Sequence, residues 1–322
     1  MTAAKQKTDY IPPFTVTAKT VSLVAEISAL TERLAGDLQK KNTLKLRKAN
    51  NVKTICSTLA IEGNTLNEQQ VTAILEGKRV LAPPREIREV KNAISAYDLL
   101  DRLTPFSVQN LRKAHRIMMK DLLDTPGKFR QRGVAIFNGR KTLHIAPPAD
   151  LVPTLIKQLF DWLKKSPDHS LIKSCVFHYE FEFIHPFEDG NGRIGRLWQT
   201  LLLAEIHPVF RLLPIENMIC SNQKKYYAAI NKSSEQNNCS YFIEFMLNEI
   251  RRALATFGAS TGSVEDLVSK LIDEAPGLRA NAIASALNLS LRTVQRALQN
   301  LKAKKRIIFR GAPRNGGYFK TK

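Results

Sequence analysis

The 322-residue sequence contains only four cysteines and no long apolar run. The cysteines, at positions 56, 175, 220 and 239, form no Cys-x-x-Cys pair, which argues against a disulfide framework and against a zinc finger. No stretch approaches the ~20 apolar residues that a membrane span requires. The first residues also lack the apolar segment of a signal peptide. We therefore expect a protein without membrane contact in a reducing cytoplasm.

Acidic residues are scarce relative to basic ones, because 29 Asp and Glu stand against 49 Lys and Arg, a formal charge of +20. Such an excess indicates a nucleic acid, an acidic protein or a nucleotide as partner. It is densest in residues 263–322, which contain 12 basic and 4 acidic residues. Residues 1–53 contain 10 basic and 4 acidic residues, and their sequence points to no particular partner.

Most of the chain before residue 257 has a helical pattern, with apolar residues every three to four positions. This spacing predicts helices, among them 21–38, 171–184 and 195–205. Residues 257–263 are small, polar and rich in Gly and Ser, which predicts a linker. The length and the ordinary share of hydrophobic residues, 43%, suggest a globular protein of two or three domains.

One segment has a β pattern instead. Gly133–Ile145 contains two β-favouring runs around Asn138-Gly139, a dipeptide typical of a hairpin turn. The predicted fold is therefore mainly α. It comprises an N-terminal helical region over 1–100, a helical core with one β-hairpin over 101–256, and a small α+β domain over 264–322.

The C-terminal segment is predicted to contain three helices followed by two strands. Ser290 is well placed to cap the helix 291–301, which follows a tight turn. Three helices and a hairpin resemble a winged helix, which predicts DNA binding. The alternatives are protein contacts, dimerisation or a merely solvated charged face. The predicted DNA contacts are Arg292, Thr293, Gln295 and Arg296 on the recognition helix, and Arg310 and Arg314 on the wing.

The stretch from His185 to Arg196, HPFEDGNGRIGR, concentrates chemically active residue types. Pro186 and the Gly-Asn-Gly triplet must interrupt an apolar helix, so a new helix N-terminus closes the loop. Its N–H groups, together with Arg193 and Arg196 on one helix face, suit a di- or triphosphate. Asp189 is a hard oxygen ligand for Mg²⁺, and His185 can act as a general base near neutral pH.

The same stretch is similar, at every fixed position, to the signature of the Fic-domain family, His-Pro-Phe-x-Asp/Glu-Gly-Asn-Gly-Arg-x-x-Arg. Gly127–Arg130, the hairpin with His144–Pro148, and Tyr226-Tyr227 resemble further landmarks, so the resemblance covers roughly residues 57–254. It implies a Fic-type helical core. It also implies transfer of AMP from ATP to a Ser, Thr or Tyr hydroxyl of a protein, with release of pyrophosphate.

The resemblance implies a role for each residue of the motif. His185 would deprotonate the target hydroxyl, Asp189 would hold Mg²⁺ across the α- and β-phosphates, and Phe187 would anchor the loop. The ATP site would comprise Gly190, Asn191 and Gly192 as the anion hole, Arg193, Ile194, Gly195 and Arg196 at the start of the next helix, and Asn222 and Tyr227 near the adenosine.

The hairpin over 133–147 is implied to be a flap over the site. Its edge would hold an extended segment of the target protein by backbone hydrogen bonds. Automodification and a homodimer are compatible with the resemblance, and the sequence does not identify the target. An ordinary surface hairpin is the alternative.

A second match, Thr58-Leu-Ala-Ile-Glu62-Gly63, resembles the inhibitory motif of the family. Thr58 and Glu62 are four residues apart and share one face of a helix expected over about 54–63, which Gly63 would end. By the resemblance, Glu62 would pair with Arg196 and exclude the γ-phosphate. In some relatives the same glutamate supports removal of AMP, so the reverse reaction stays open.

Two other functions remain as alternatives. One is a DNA-binding regulator that uses the Fic domain as a nucleotide sensor. Metal-dependent hydrolysis is the lesser one, because His178 and His185 lie seven residues apart and no His-Glu-x-x-His motif occurs. The sequence suggests no partner for the remaining histidines, His115, His144, His169 and His207.

Overall fold

The computed structural model describes residues 10–38, 43–138, 141–261, 264–287, 289–312 and 316–321. The chain divides into two compact units, of which the first comprises Met1–Gly36 and Lys40–Leu254 and the second comprises Asp37–Gln39 and Ala255–Lys322. In the part of the chain that is described, no helix is long and apolar enough to cross a lipid bilayer.

The first unit is mainly helical and contains one β-hairpin, which confirms the predicted fold class. The α-helices that lie wholly or mostly in this unit are α1 (Ala18–Leu38), α2 (Thr43–Ile61), α3 (Glu68–Leu75), α4 (Pro84–Asp98), α5 (Val108–Met118), α6 (Val152–Lys165), α7 (Ser170–Ile184), α8 (Asn191–Ile206), α9 (Ile215–Ser221), α10 (Gln223–Glu235) and α11 (Ser240–Thr261). Short 3₁₀ helices cover Leu100–Arg102, Ala149–Leu151 and Pro208–Leu212.

Helices α7 and α8 form the centre of this unit. Most of their side chains are buried, including Phe177 and Phe181 on α7 and Trp198 on α8. A helix that is buried on nearly all sides belongs to the core of a large unit. The indole N–H of Trp198 is satisfied by the carbonyl of Pro105 at 3.1 Å. The connection between α7 and α8, which carries the His185–Arg196 motif, is thus held by the core at both ends.

The described part of the predicted N-terminal region 1–100 belongs to the same compact unit as the core. Helix α2 packs against α9, and two polar contacts fix it there. Asn50 donates to the carbonyl of Leu212 at 2.7 Å, and Thr54 donates to the carboxylate of Glu216 at 3.4 Å. The helix is longer than the predicted 54–63, and it ends just before Glu62, where Gly63 adopts a φ of 91°.

Strands β1 (Ala135–Asn138) and β2 (Lys141–Ile145) pair antiparallel and form the hairpin. Asn138 lies opposite Lys141, and the register shifts between Ile136 and Phe137. The predicted turn residue Gly139 lies outside the described residues.

The predicted linker over 257–263 is helical over the part that is described, because α11 continues to Thr261. Residues 262 and 263 lie outside the described residues. Extending an existing helix needs no new nucleus, and a single glycine costs only about 1 kcal/mol relative to alanine. Composition alone therefore underestimated how far the helix extends.

The second unit contains three helices and a two-stranded antiparallel sheet, in the predicted order. The elements are α12 (Val264–Glu274), α13 (Ala280–Leu287), α14 (Leu291–Ala303), β3 (Ile307–Arg310) and β4 (Gly317–Lys320). Its core includes Val268 on α12, Ile283 on α13 and Val294 on α14. Ser290 caps α14 as predicted, because its Oγ accepts from the N–H of Thr293 at 3.2 Å.

Candidate active site

The loop between α7 and α8 begins and ends with residues of positive φ. His185 follows the last residue of α7 and has a φ of 50°, and Gly190 precedes α8 with a φ of 85°. A Cβ at position 190 would lie 2.6 Å from Sδ of Met119, so both the backbone conformation and the space require glycine here. The loop therefore reverses the chain tightly and presents a fresh helix N-terminus.

Asn191 fixes the loop from the inside. Its Oδ1 accepts from the N–H of Phe187 at 2.9 Å, and its Nδ2 donates to the carbonyl of Phe187 at 2.9 Å. The Phe187 side chain is fully buried, as the sequence predicted for an anchor. The Asn191 side chain therefore stabilises the shape of the loop, and it is the backbone N–H groups at the start of α8 that can bind a ligand.

Arg130 joins the hairpin to the histidine. Its guanidinium donates to the carbonyls of His185 at 2.7 Å, Ile184 at 3.2 Å, Pro147 at 2.5 Å and Arg132 at 2.8 Å. Its own N–H donates to the carbonyl of Pro186 at 2.9 Å. One buried side chain therefore holds the end of α7 against the base of the hairpin.

Asp189 and Arg193 meet at the first turn of α8. Oδ1 of Asp189 accepts from the N–H of Gly190 at 2.6 Å and from Arg193 at 3.0 Å. Arg193 is buried, and its other terminal nitrogen lies 3.6 Å from Glu89 on α4. The sequence did not predict Glu89, because it is far from the motif in the chain.

Arg196 is buried and held by the predicted inhibitory motif. Its Nε donates to the hydroxyl of Thr58 at 2.9 Å, and its Nη2 donates to the carbonyl of Thr58 at 3.0 Å and to Oε1 of Glu62 at 2.6 Å. Burial by itself would lower the pKa of this guanidinium, but the Glu62 carboxylate raises it above its ordinary value. Thr58 and Glu62 therefore accept three hydrogen bonds from the arginine, one from Nε and two from Nη2.

The glycines of the motif make room for carboxyl groups. A Cβ at Gly192 would collide with Oε1 of Glu62, and a Cβ at Gly195 would lie 2.6 Å from Oε1 of Glu182. Burial raises the pKa of Glu182 to about 8, Arg196 opposes this shift, and Glu62 adds to it. Oε1 of Glu182 has no hydrogen-bond partner among the described residues. Sequence reasoning did not single out this buried carboxyl.

The region predicted to contact adenosine lies at the junction of α9 and α10. The amide of Asn222 donates to Glu249 at 3.1 Å, and Tyr227 is partly exposed. Burial raises the pKa of Tyr227, and the negative charge of Glu62 adds to this shift. Tyr226, its neighbour, is a core residue whose hydroxyl bonds Nε2 of His178 at 2.9 Å.

His178 and His115 are buried histidines with defined partners. His178 also bonds Oε1 of Gln199 at 2.6 Å through Nδ1, and burial lowers its pKa to about 3. His115 contacts the carbonyl of Asp189 at 2.9 Å and accepts from the N–H of Gly127 at 2.8 Å. Nε2 of His178 also lies 3.9 Å from Oε1 of Glu182, and the two would form an ion pair only if the histidine were protonated, which the lowered pKa disfavours. His115 contacts the motif loop through the Asp189 carbonyl. The sequence could have indicated that His115 is buried, because it shares the apolar face of α5 with Leu111 and Met118.

A magnesium ion fits this site only if phosphates supply most of its ligands. No group of three or more His, Cys, Asp or Glu side chains suited to a metal is found in the described ranges. Asp189 is partly exposed and offers a single carboxylate. Mg²⁺ in nucleotide sites commonly takes one or two carboxylates, substrate phosphates and water. The donor set therefore agrees with a metal that arrives with a nucleotide.

Comparison with known proteins assigns the family. Residues 105–203 match the Fic/DOC family. A Fic family protein from Desulfovibrio desulfuricans G20, known from a crystal structure, is 40% identical in sequence, with a TM-score of 0.76 over 97% of this chain and 98% of that one. The chain belongs to the Fic family. Fic-1 of Caenorhabditis elegans (residues 134–508), with a TM-score of 0.62 at 20% identity over 76% and 73% of the two chains, shares the fold.

Curated relatives of this Fic chain cover it only in part. A probable protein adenylyltransferase of Aquifex aeolicus is 28% identical over 192 residues, which is 56% of this chain and 54% of the relative. The protein adenylyltransferase fic-1 of Caenorhabditis elegans is 30% identical over 188 residues, which is 54% and 35% of the two. The chain thus spans about half or less of the length of these relatives.

Proposed function

We propose that this Fic protein is an adenylyltransferase that transfers AMP from ATP to a Ser, Thr or Tyr hydroxyl of a protein. The observation that carries the proposal is the grouping of His185, Asp189, Arg193 and Arg196 around one helix N-terminus. Such an end binds phosphates through its N–H groups and dipole. The names of the curated relatives support the same reaction.

In the proposed reaction, the target hydroxyl oxygen attacks the α-phosphorus of ATP. The bond from that phosphorus to the oxygen bridging to the β-phosphate breaks, and pyrophosphate leaves. His185 takes the proton of the hydroxyl, and Arg193 and Arg196 neutralise the charge on the leaving group. Positioning and charge neutralisation are the main contributions a protein makes to such transfers. A bound Mg²⁺, held by Asp189, would supply further neutralisation of the phosphates.

Glu62 is proposed to inhibit the reaction. Arg196 donates to Thr58 through Nε and to Glu62 through Nη2, and the bond to Glu62 is the shorter one at 2.6 Å. The γ-phosphate and Glu62 would compete for the same guanidinium, so ATP binds productively only when the carboxylate is displaced. The same carboxylate beside the loop also supports removal of AMP from a modified protein as a second reaction of the site.

The hairpin of β1 and β2 is proposed to dock the target. Backbone pairing with a strand edge is a general way to hold an extended peptide. Arg130 bonds the carbonyls of Pro147, at the foot of the hairpin, and of His185, and this link supports a docking edge held close to the proposed general base. Automodification is included, because a segment of a second copy could pair in the same way.

Mass spectrometry of the full chain after incubation with ATP and Mg²⁺ tests the proposal. We expect Glu62→Gly to gain AMP at least tenfold faster than the natural chain, and Glu62→Gly with His185→Ala to gain none. Glu235→Gly, which also changes an exposed glutamate at a helix end, is the matched control and should behave as the natural chain. Absence of AMP on the Glu62→Gly protein and on added candidate targets contradicts the proposal.

DNA binding by the second unit is a second candidate function. Arg292, Thr293, Gln295 and Arg296 on α14 are all exposed, and among the described residues neither arginine has a carboxylate within 4.0 Å. Arg310 is also exposed and lies over the ring of Phe319, 5.5 Å from its centroid. Arg314 lies outside the described residues. These exposed cations can contact DNA phosphates. In a winged-helix arrangement, a helix such as α14 enters the major groove of DNA.

Salt-dependent retention of duplex DNA tests this second function. We expect Arg292→Ala with Arg296→Ala to weaken binding and to reduce the salt slope by about 2, or about 1 for each lost phosphate contact. The matched control is Lys304→Ala with Arg306→Ala, since these cations already face Glu265 and Asp266. Equal losses in the two double variants argue for unspecific attraction, and no loss in either argues against binding.

A further inference from the structure

His115 on α5 is a buried group that the proposed reaction does not use. Its ring is fully buried and lies against the motif loop. It stacks on Phe187 with ring centroids 3.7 Å apart and planes 11° from parallel. Met119, one helical turn later, fills the space next to Gly190. One face of α5 therefore contacts the loop at several successive points.

The hydrogen bonds of His115 determine its tautomer. The N–H of Gly127 donates to Nδ1 at 2.8 Å, so Nδ1 carries no hydrogen. The carbonyl of Asp189 lies 2.9 Å from Nε2 and can only accept, so Nε2 carries the hydrogen and donates it. Both partners are backbone groups, and both ring nitrogens are committed.

The bond to the Asp189 carbonyl has a consequence for the next N–H. In a trans peptide the C=O and the N–H point in opposite directions. A carbonyl held toward α5 therefore turns the N–H of Gly190 away from α5, where it donates to Oδ1 of Asp189 at 2.6 Å. Glycine at 190 tolerates both φ < 0 and φ > 0, so the residue itself does not prevent this peptide from flipping.

We propose that His115 is a positioning residue of the phosphate site: it holds the Asp189–Gly190 peptide in one orientation and thereby aims the Asp189 carboxylate and the N–H groups at the start of α8. This inference rests on the proposed adenylyltransferase function. A flipped peptide would place a carbonyl oxygen where the N–H lies, so it would repel the Asp189 carboxylate that the N–H now binds. His115 acts through Asp189 and the backbone and does not touch the substrate.

Three full-length variants test the proposal in the Glu62→Gly background. His115→Phe keeps an aromatic ring for Phe187 and removes both hydrogen bonds, whereas His115→Gln keeps one donor and one acceptor. His207→Phe is the matched control, because His207 also accepts a backbone N–H, from Val209 at 3.1 Å, away from the loop. We measure the Kd of a non-hydrolysable ATP analogue with Mg²⁺, the kcat and KM of transfer, and the Tm.

We expect His115→Phe to weaken analogue binding at least fivefold and to lower kcat/KM at least tenfold, with a Tm within 3 °C of His207→Phe. His115→Gln should recover binding to within threefold of the parent. Binding and transfer by His115→Phe within twofold of the parent overturn the proposal, as does a His115→Gln variant that is no better than His115→Phe.

Two further outcomes are decided by the same measurements. If His115→Phe does not fold, His115→Gln is compared with His115→Asn, which is too short to reach both partners. Equal affinities of these two variants overturn the proposal, and a fivefold weaker Asn variant supports it. If the Glu62→Gly parent binds the analogue without transferring AMP, the proposed function fails, and the binding series still decides the role of His115.

Discussion

Two ion pairs of the same length lie in the two units and differ in burial. Arg196 and Glu62 are 2.6 Å apart in the first unit, where 1% of the arginine side chain is exposed. Lys304 and Glu265 are also 2.6 Å apart in the second unit, where 60% of the lysine side chain is exposed. A buried cation that loses its partner is left without compensation for its charge, which is strongly destabilising, whereas an exposed cation is solvated by water. Distance alone therefore does not tell which pair can regulate a site.

The largest effect is expected from removing the buried cation itself. Arg196→Ala in the Glu62→Gly background should lower AMP transfer by more than about 100-fold, because loss of one preorganised charge stabiliser commonly costs 10²–10³ in rate. The transfer rate of Arg196→Lys should fall between those of the parent and of Arg196→Ala, since lysine keeps the charge and loses the planar guanidinium. Transfer from labelled ATP and the Tm are measured on the same proteins. Transfer by a folded Arg196→Ala protein within threefold of the parent would show that the buried cation does not matter more than the exposed one.

Glu182 is a buried carboxyl that sharpens the comparison, because no Lys or Arg among the described residues lies within 4.0 Å of it. Its pKa is raised from 4.5 to about 8 by burial, so the folded state keeps the proton that the unfolded chain loses above pH 4.5. The natural chain is therefore destabilised progressively between about pH 4.5 and pH 8. Glu182→Gln removes this effect.

The Tm of Glu182→Gln should match that of the natural chain at pH 5 and exceed it by at least ~2 °C at pH 8, which is about 1 kcal/mol for a unit of this size. Glu205→Gln, an exposed glutamate near the end of α8, is the control and should give a difference that does not vary with pH. A constant or shrinking difference for Glu182→Gln would mean that this carboxyl is ionised in the folded chain.

The smallest effect is expected from the exposed pair. The hydrogen bond from Lys304 lowers the pKa of Glu265, so this group stabilises the fold above the ordinary carboxyl pKa and loses that contribution as the pH falls. Exposed pairs contribute about 0–1 kcal/mol and are screened by salt. Glu265→Gln should therefore lower the free energy of unfolding by less than about 1 kcal/mol at pH 7, and by a smaller amount in 0.5 M salt. A larger loss would contradict the distinction between buried and exposed ion pairs.

The sequence was informative where chemistry is local along the chain. The loop from His185 to Arg196, the helix-ending Gly63 and the cap at Ser290 depend on neighbours within a few residues, and each could be predicted from spacing. Glu89, Arg130 and His115 act on the same loop from other helices or from the approach to the hairpin. Their contacts with the loop join residues that are 55 to 104 positions apart in the chain, and the periodicity of a sequence carries no information on such pairs.

The segment 257–261 shows the opposite difficulty. Its composition predicts a linker, but the preceding helix continues through it. Local propensity is weak compared with the low cost of adding one more turn to an established helix. Likewise Glu182 could not be recognised as a protonated group, because its pKa depends on burial between α7 and the glycine at 195.

Arg130 connects the base of the hairpin to His185 through hydrogen bonds. The guanidinium is bonded at once to the carbonyls of Pro147 and His185, so the two cannot move apart without breaking a buried bond. In the proposed reaction, a target strand pairs with the hairpin edge in a fixed register, so each of its residues lies at a fixed distance from His185. The hydroxyl that is modified is then selected by its position along the target strand.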